Sequence, residues 1–364
     1  MSEQVGYCDP YPGAMPQANR NYEETGQAYM TLTPIELLLS EAPARRATIA
    51  LGEGSDPRIV AGARDAVAQG IADIILVGDR DAVAAQLGTD VPAGITVHDP
   101  AHSPLNGALA ESFHRLRAHK GVDAAKAAAA LRDPLVYAAM LVREGHADGT
   151  VSGAVATTPD VVRTALQVIG KAADAALVSS CFLMLPPKDI PDGAFDGARA
   201  MIFSDCGLII DPDAAALAEI AAASARSCRA LLRTEPRIAM LSFSTKGSAR
   251  HAAVTRVSEA TSRLRAAHPD LAVDGEMQFD AAFVASVGAS KAPGSAVAGQ
   301  ANVMVFPNLD AGNIGYKIAQ RLGGYAAIGP ILQGLARPAN DLSRGCVAGD
   351  VTQMIAVTAL QSMS

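Results

Sequence analysis

The sequence predicts an α/β protein built on mainly parallel sheets, and three observations support that prediction. Short apolar runs rich in Val and Ile alternate along the chain with helical stretches of roughly 10 to 18 residues. Runs such as LVSSCFLML and NVMVF are apolar on both faces, as expected of strands at the centre of a parallel sheet. The chain is 49% hydrophobic without any Trp, which favours Ala-rich helices packed on Val/Ile strands.

Nine segments are predicted to be strands, and five stretches are the clearest helices. The predicted strands are Ala47–Leu51, Asp73–Val77, Ile95–His98, Gly149–Ser152, Ala176–Leu185, Ala200–Ser204, Arg237–Ser244, Asn302–Phe306 and Tyr325–Ile328. The predicted helices are Asp56–Gln69, Pro134–Glu144, Pro159–Ile169, Asp213–Leu232 and Arg250–Ala267. Ligands of open α/β sheets bind at the carboxyl ends of the strands, so the loops after these strands are the candidate sites.

Residues 1–30 differ from the rest of the chain. They contain four of the seven tyrosines and many Gln, Asn and Glu residues, and they show neither a helical nor a strand period. We interpret them as an N-terminal extension outside the core, either mobile or laid on a neighbour.

Composition excludes several classes of protein. The net charge of −7 argues against sequence-independent nucleic-acid binding, which needs a basic surface. The five cysteines are scattered without a CxxC pair, which is typical of a reduced intracellular protein. The sequence begins without the pattern of a signal peptide, and no apolar run is long enough to span a membrane. We therefore expect a soluble cytoplasmic protein with no nucleic-acid or membrane partner.

The first candidate loop, Gly149–Thr158, reads GTVSGAVATT and connects a strand to a helix. The strand ends in Ser152-Gly153, and a proline follows near the helix start, where proline is favoured. Free backbone N–H groups, the hydroxyls of Thr157 and Thr158 and the positive end of the helix could bind an anion. An ordinary helix cap explains the same residues.

The second candidate loop, Phe306–Lys317, reads FPNLDAGNIGYK and again follows a buried strand. Asn308, Asp310 and Asn313 place polar groups around one strand end, and two glycines would let a ligand approach the backbone. A capped turn between strand and helix is the alternative.

The third candidate loop covers residues 331–350 and shows almost no regular pattern before the final predicted helix, Val351–Leu360. Ser343 and Arg344 are adjacent in it, and Asp350 lies seven positions after the serine. Arginine can hold a phosphate through two parallel hydrogen bonds, a carboxylate can accept a thiol proton, and a hydroxyl can donate to an oxyanion. Asp350 also fits a helix N-cap with Gln three residues later.

Other well-known sites are not predicted. The seven histidines form no ligand-like cluster and HExxH is missing, so no metal site is expected. The segment LGEGSDPR after the first strand contains only GxG and not the GxGxxG pattern of a dinucleotide-binding site. Neither the P-loop pattern GxxxxGK[ST] nor the GxSxG pattern of a serine hydrolase occurs.

At these loops the sequence resembles the phosphate acetyl/butyryl transferase family. The resemblance extends from Thr31 to the C-terminus, over several long stretches rather than one short motif. The matching stretches are ADGTVSGAVATTPDVVRTALQVI, ALVSSCFLML, IAMLSFSTKGS, VDGEMQFDAA, KAPGSAVAGQANVMVFPNLDAGNIGYK and GPILQGLARPANDLSRG.

The resemblance implies two α/β domains with the active site in the cleft between them, a fold similar to the isocitrate/isopropylmalate dehydrogenase type, and a homodimer. Residues 31–175 together with 327–364 would form the first domain, and residues 176–326 the second. The implied reaction moves an acetyl group between coenzyme A (CoA) and inorganic phosphate. CoA, acetyl-CoA, phosphate and acetyl phosphate are then substrates, and no metal or tightly bound cofactor is needed.

The resemblance also implies roles for individual residues. Asp350 would take the proton of the CoA thiol, Arg344 would hold the phosphoryl group, and Ser343 would steady the transition state. Arg117 and Arg163 match arginines implicated in CoA binding. The family often has acidic residues before the aspartate, whereas this chain has CVAG there, which leaves the base less crowded by like charge. The other positions expected to bind substrate are Ser152, Gly153, Thr157, Thr158, Asn313 and Tyr316.

Two alternatives stay open at this point. The chain could act on butyryl or another acyl phosphate, because one methylene in a pocket discriminates by only about 1–3 kcal/mol. It could also be a catalytically silent module that binds acetyl-CoA for regulation, although the presence of Ser343, Arg344 and Asp350 argues against this.

Overall fold

The computed structural model describes residues 33–41, 45–187 and 198–363, which belong to one compact unit. The expected extension, residues 1–30, lies outside the described residues. The strands are β1 Ala47–Leu51, β2 Ala72–Val77, β3 Ile95–His98, β4 Gly149–Ser152, β5 Ser179–Leu185, β6 Met201–Ser204, β7 Arg237–Leu241, β8 Ala272–Met277, β9 Val303–Val305, β10 Ala326–Gln333 and β11 Ala339–Asp341. The helices are α1 Pro34–Glu41, α2 Pro57–Ala68, α3 Arg80–Leu87, α4 Asn106–Arg117, α5 Ala124–Ala130, α6 Pro134–Arg143, α7 Thr158–Val168, α8 Ala214–Leu232, α9 Ala252–Ala267, α10 Phe279–Phe283, α11 Ala285–Lys291, α12 Leu309–Arg321 and α13 Ala348–Ser362, with a short 3₁₀ helix at Ala118–Lys120.

The first sheet has the order β11-β4-β1-β2-β3, and all of its strand pairs are parallel. Side chains of β1 alternate between two cores: Ile49 and Leu51 face α2 and α13, whereas Ala50 faces α4 and α6. Both faces of this sheet are therefore covered, as its apolar strand sequences predict.

The second sheet has the order β10-β5-β6-β9-β7-β8. The pairs β6–β9, β9–β7 and β7–β8 are parallel, while β5 pairs antiparallel with β6 and β10. Every residue of β5, SSCFLML, is buried, which fits its apolar sequence. The α/β fold with mainly parallel sheets is confirmed.

Local sequence explains where the helices begin. An Asp, Asn or Thr side chain accepts a hydrogen bond from a backbone N–H of the first turn at several helix starts, which satisfies a donor that the helix itself cannot pair. These N-cap residues include Asp56, Asp133, Thr157, Asp213 and Asn308.

The final helix, α13, connects the two sheets. It packs on α2 and on strands of the first sheet, and it also contacts α8, which covers the second sheet. Gly62 of α2 permits the close approach, since a Cβ there would lie 2.6 Å from the Cβ of Val351. One hydrophobic core therefore runs from the first sheet to the second on this side.

Several observed elements differ from the predicted ones. Strands β8 and β11 are not predicted, because β8 contains Asp274 and Glu276 and β11 is only three residues long and polar. The strand β10 reaches Gln333 and pairs within the second sheet. Helices α12 and α13 begin earlier than predicted, at Leu309 and Ala348. The division into two domains stays a prediction.

Candidate functional site

An open cavity of about 460 Å³ lies where α12, β10, the loop before α13 and α13 itself meet. Aromatic, cationic, amide and hydroxyl groups and a carboxylate share its walls. The residues that give it this chemical character are Phe182, Tyr316, Lys317, Gln320, Arg321, Ser343, Cys346, Asp350 and Gln353.

Two of the three predicted catalytic residues line this cavity. Ser343 and Asp350 are both exposed to it, and the Ser343 hydroxyl accepts the N–H of Gly345 at 3.3 Å. Arg344 is exposed in the same loop, but it is not among the described residues that line the cavity. The loop and the first turn of α13 therefore place Ser343 and Asp350 at one cavity, and Arg344 is the next residue after Ser343.

Asp350 lies in the first turn of α13 and not at its N-cap, which corrects the predicted capping position. The helix begins at Ala348, so Val347 occupies the cap, and its N–H donates to Asp350 Oδ2 at 2.9 Å. An acidic side chain in the first turn also interacts favourably with the helix dipole. One carboxylate oxygen is thus engaged with the backbone beside the cavity.

Cys346 borders the same cavity, but its side chain is mostly covered, with 4% of the residue exposed. Burial raises the pKa of the Cys346 thiol. A thiol with a raised pKa is mostly protonated at neutral pH and is a weak nucleophile. The cysteine therefore contributes an apolar surface rather than a reactive thiolate.

The α12 wall contains two cations that the sequence analysis missed. Lys317 and Arg321 lie one turn apart and both line the cavity, with Gln320 between them. The Lys317 Nζ is 5.8 Å from the ring centroid of Tyr316, which itself stacks on Phe182 with centroids 4.0 Å apart. The helical spacing of these residues could have indicated a shared face, had the helix been predicted to begin at Leu309.

The predicted second loop is therefore mostly helix, which corrects its interpretation as a loop. Asn308 caps α12, and Asn313 and Tyr316 lie inside it. Tyr316 lines the cavity, and burial raises the pKa of its hydroxyl. The Asn313 amide instead donates to the backbone oxygen of Cys206 at 3.2 Å.

The predicted anion cradle after β4 already holds an anion that belongs to the protein, the Glu53 carboxylate. Glu53 Oε2 accepts the N–H groups of Gly153 and Ala154 at 2.9 and 2.7 Å. Glu53 Oε1 accepts those of Val155 and Ala156 at 3.0 and 2.6 Å. The expectation that these backbone donors are free is wrong, because one side chain satisfies all four.

The hydroxyl groups predicted in the same loop also have partners within the protein. Thr157 caps α7 and donates to Asp160 Oδ2 at 2.6 Å. Thr158 donates to Asp341 Oδ2 at 2.5 Å. Burial raises the pKa of the Asp341 carboxyl to about 6, against the opposing effect of this hydrogen bond. Ser152 is buried at the end of β4 and borders a small cavity.

Arg58 ties this loop to the loop with the predicted catalytic residues. Its Nη2 donates to the backbone oxygen of Ala154 and its Nη1 to that of Arg344, both at 2.7 Å. Asp56 holds the guanidinium through Nε and Nη2 at 3.0 and 2.8 Å. This pairing keeps the pKa of the Asp56 carboxyl below its usual value. The sequence analysis missed Arg58 because its partners are backbone atoms far away in the chain.

The two arginines predicted to bind CoA lie outside the lining of this cavity. Arg163 is exposed on α7, where it forms an ion pair with Asp160. Arg117 is partly exposed at the end of α4. Both belong to helices that cover the first sheet, and their contact with CoA stays a prediction.

Among residues 33–41, 45–187 and 198–363, no three His, Cys, Asp or Glu side chains are grouped so that they could hold a metal ion. No helix in these ranges combines the length and apolar character that a membrane span requires.

Comparison with known sequences identifies relatives over most of the chain. A family model described as phosphate acetyl/butaryl transferase matches residues 34–359. A phosphate acetyltransferase of Paracoccus denitrificans is 51% identical over 334 residues, which are 91% of this chain and 100% of that relative. A phosphate acetyltransferase of Thermoanaerobacterium thermosaccharolyticum is 44% identical and covers 90% of this chain and 99% of its own length.

Solved structures agree with the sequence relatives. A phosphotransacetylase from Streptococcus pyogenes matches with a TM-score of 0.83 at 42% identity, covering 91% of this chain and 98% of its own. The EutD phosphotransacetylase from Staphylococcus aureus matches with a TM-score of 0.82 at 41% identity, covering 90% and 98%. The chain therefore belongs to the phosphate acetyl/butaryl transferase family and is a transferase.

Proposed function

We propose that this protein is a phosphate acetyltransferase, which reversibly moves an acetyl group between acetyl-CoA and inorganic phosphate. The observation that carries the proposal is one cavity shared by Ser343, Asp350 and the cations Lys317 and Arg321. A carboxylate, a hydroxyl and positive charges suit a reaction between a thiol and an anionic acyl phosphate. The names of the relatives support the same activity.

The proposed chemistry begins at the CoA thiol, whose unperturbed pKa of roughly 8.5 leaves it mostly protonated near neutral pH. Asp350 takes this proton. The thiolate attacks the acyl carbon of acetyl phosphate, the C–S bond forms, and the bond to the phosphate oxygen breaks as phosphate leaves. Ser343 donates a hydrogen bond to the carbonyl oxygen as it becomes negative. The transfer is direct, so it does not require an acyl group on the buried Cys346.

The remaining site residues would bind the two substrates. Arg344 would hold the phosphoryl group through its planar fork of donors. Arg117 and Arg163 would bind the phosphates of CoA, and Tyr316 would contact substrate in the cavity that it lines. Holding both substrates in one cleft contributes a large part of the rate through avoided loss of translational entropy. No metal or tightly bound cofactor takes part in this scheme.

The test of the proposal is thioester formation from CoA and acetyl phosphate by wild type and Asp350→Asn. A positioned base is worth about 10²–10⁴ in rate, so the variant should lose that much turnover. Asp81→Asn is the matched control, because Asp81 lies in the first turn of α3 and is exposed. Wild-type turnover in folded Asp350→Asn would remove this residue as the base. Acetyl-CoA binding by a wild type without turnover would instead favour a silent binding module.

The preferred acyl chain is tested in the same assay with butyryl phosphate. We propose acetyl as the preferred group, on the names of the relatives with the higher identities. A higher kcat/KM with butyryl phosphate would assign the protein to the butyryl branch of the family.

We also propose that the protein is a cytoplasmic homodimer. Ile314 and Ile318 of α12 and Leu322 at its C-cap lie four residues apart and are 57%, 53% and 84% exposed. Such a stripe on one helix face suits burial against a second copy. The free, buried cysteines of the described residues suit a reducing compartment. Sedimentation of Leu322→Glu should show a shift toward monomer relative to wild type, and a monomeric wild type would contradict the dimer.

A further inference from the structure

The Glu53 carboxylate is an unusual internal ligand, because each of its oxygens accepts two backbone N–H groups from one short loop. The four donors belong to residues 153–156, immediately before α7. Successive N–H groups that point to one place at a helix start form a binding site for an anion. A side chain from a different segment of the chain occupies this site, so its donors are not available to a substrate phosphate.

The same segment also reaches the loop with the proposed catalytic residues. Glu53 follows β1, and five residues later Arg58 donates to the backbone oxygens of Ala154 and Arg344 at 2.7 Å each. The N–H of Leu342 donates to the oxygen of Ser152 at 2.7 Å, so the loop after β11 also contacts the end of β4 directly. Glu53 therefore accepts the N–H groups of the 153–156 loop, and Arg58 donates to one carbonyl oxygen in each of the two loops.

The position of this contact matters for the reaction. Gly153 has a φ of +110°, and a Cβ at this residue would lie 2.2 Å from Asp341 Oδ1 and 2.7 Å from the backbone nitrogen of Leu342. The 153–156 loop thus packs against the two residues that precede Ser343. A shift of the loop would be transmitted directly to the backbone that presents Ser343 and Arg344.

We propose that Glu53 is a positioning residue for acetyl transfer, which fixes the 153–156 loop and through it the placement of Ser343 and Arg344. This inference rests on the proposed function. Glu53 does not line the cavity and takes no proton in this scheme. A misplacement of catalytic groups by about 1 Å can cost on the order of 100-fold in rate, so a residue of this kind acts mainly on kcat.

The test compares Glu53→Gln, Glu53→Asp and Glu53→Ala with wild type. Glutamine keeps the shape but replaces one acceptor by an NH₂ donor, which opposes two of the four N–H groups. We expect kcat to fall at least tenfold in Glu53→Gln while the KM values for CoA and acetyl phosphate change less than threefold. Aspartate retains the carboxylate and should recover part of the loss. Glu111→Gln, at a carboxylate that is 71% exposed, is the matched control and should leave kcat unchanged.

Two further measurements separate positioning from a general effect on stability. Formate should occupy the N–H site that Glu53→Ala leaves empty and raise the kcat of this variant at least threefold. Chloride replaces formate in the reference assay, so that the ionic strength stays constant. Formate should not raise the kcat of wild type. Amide hydrogen exchange at residues 153–156 and 342–347 should be faster in Glu53→Gln than in wild type, with exchange elsewhere unchanged. Wild-type kcat and exchange in Glu53→Gln, or a lower melting temperature with wild-type kcat, would overturn the proposal.

The exchange measurement does not depend on turnover. A wild type without acetyl transfer would refute the proposed function, while faster exchange in both loops would still establish the Glu53 contact. Normal transfer by wild type with unchanged exchange in the variant would refute only the role of Glu53.

Discussion

The loops after β4 and after β11 occupy equivalent places but differ in how their polar groups are satisfied. The two strands are parallel neighbours, with Ser152 opposite Asp341, and each loop leads into a helix. In residues 153–156 every backbone N–H is paired with Glu53. In residues 343–345 the chain is exposed, and Ser343 and Gly345 line the cavity. The backbone N–H groups of residues 153–156 thus have partners within the protein, whereas residues 343–345 are available to a substrate.

This difference teaches that position at a strand end does not by itself identify a binding loop. Both loops have the sequence character of an anion site, with small residues, hydroxyls and a helix start. What separates them is whether another part of the chain already supplies the anion. Substitutions in the exposed loop should therefore change rate, and those in the paired loop should change stability or placement.

Among the substitutions that compare the two loops, the largest effect is expected at Arg344 in the exposed loop. Arg344→Ala removes the donors proposed for the phosphoryl group and should lower kcat by about 10²–10³, by analogy with the loss of one oxyanion donor. Arg344→Lys keeps the charge but not the paired donors, so it should recover only part of the rate. Turnover is measured with acetyl phosphate and CoA. Near-normal turnover in folded Arg344→Ala would remove this residue from the site.

A backbone effect is expected at Gly153 in the paired loop. Gly153→Ala combines a left-handed conformation with a Cβ 2.2 Å from Asp341 Oδ1 and should lower the free energy of unfolding by about 2–4 kcal/mol. Gly145→Ala is the control, since Gly145 has a φ of +78° but open space around a Cβ. Urea unfolding measures both. An equal cost in the two variants would mean that the contact with Asp341 contributes nothing.

The buried Asp341 carboxyl should make stability depend on pH. Its folded pKa, raised to about 6, means that its contribution is fully present below its unfolded value near 4 and is lost as the pH rises through about 6. Asp341→Asn lacks this titration. Relative to wild type, the variant should gain about 2 kcal/mol of unfolding free energy between pH 4 and 7. A difference between the two proteins that does not vary with pH would contradict this account.

The smallest effect is expected at Arg163, on the helix that follows the paired loop. Its side chain is 59% exposed, so its removal should raise the KM for CoA by only about fivefold and leave that for acetyl phosphate unchanged. Arg115→Ala, at another exposed ion pair within a helix, is the control. Equal changes in both KM values would reject the assignment of Arg163 to CoA.

Much of the fold follows from sequence because the apolar runs are unambiguous. Strands such as β1 and β5 are mostly apolar, and Asp56 and Thr157 mark helix starts before proline. Strand β11 could not be predicted, because Asn340 and Asp341 are polar and their burial depends on partners elsewhere in the fold. Propensity alone carries no information about such partners.

The candidate site shows the same limit. Ser343 and Asp350 could be proposed from their residue types and from the family resemblance. Glu53 and Arg58 could not, because Glu53 binds backbone atoms about 100 positions away and Arg58 reaches 286 positions to the oxygen of Arg344. A backbone partner leaves no signature in the side-chain sequence. Only the three-dimensional structure places these groups together.

The hydrogen bonds from Arg58 to backbone oxygens affect which substitutions the two loops can accept. Because the guanidinium binds the main-chain oxygens of Ala154 and Arg344, these contacts do not use the side chains of either residue. Val155 and Val347 project outward from those loops with 61% and 62% of their surface exposed. Evolution or engineering can therefore vary such exposed positions while the chemical groups keep their places.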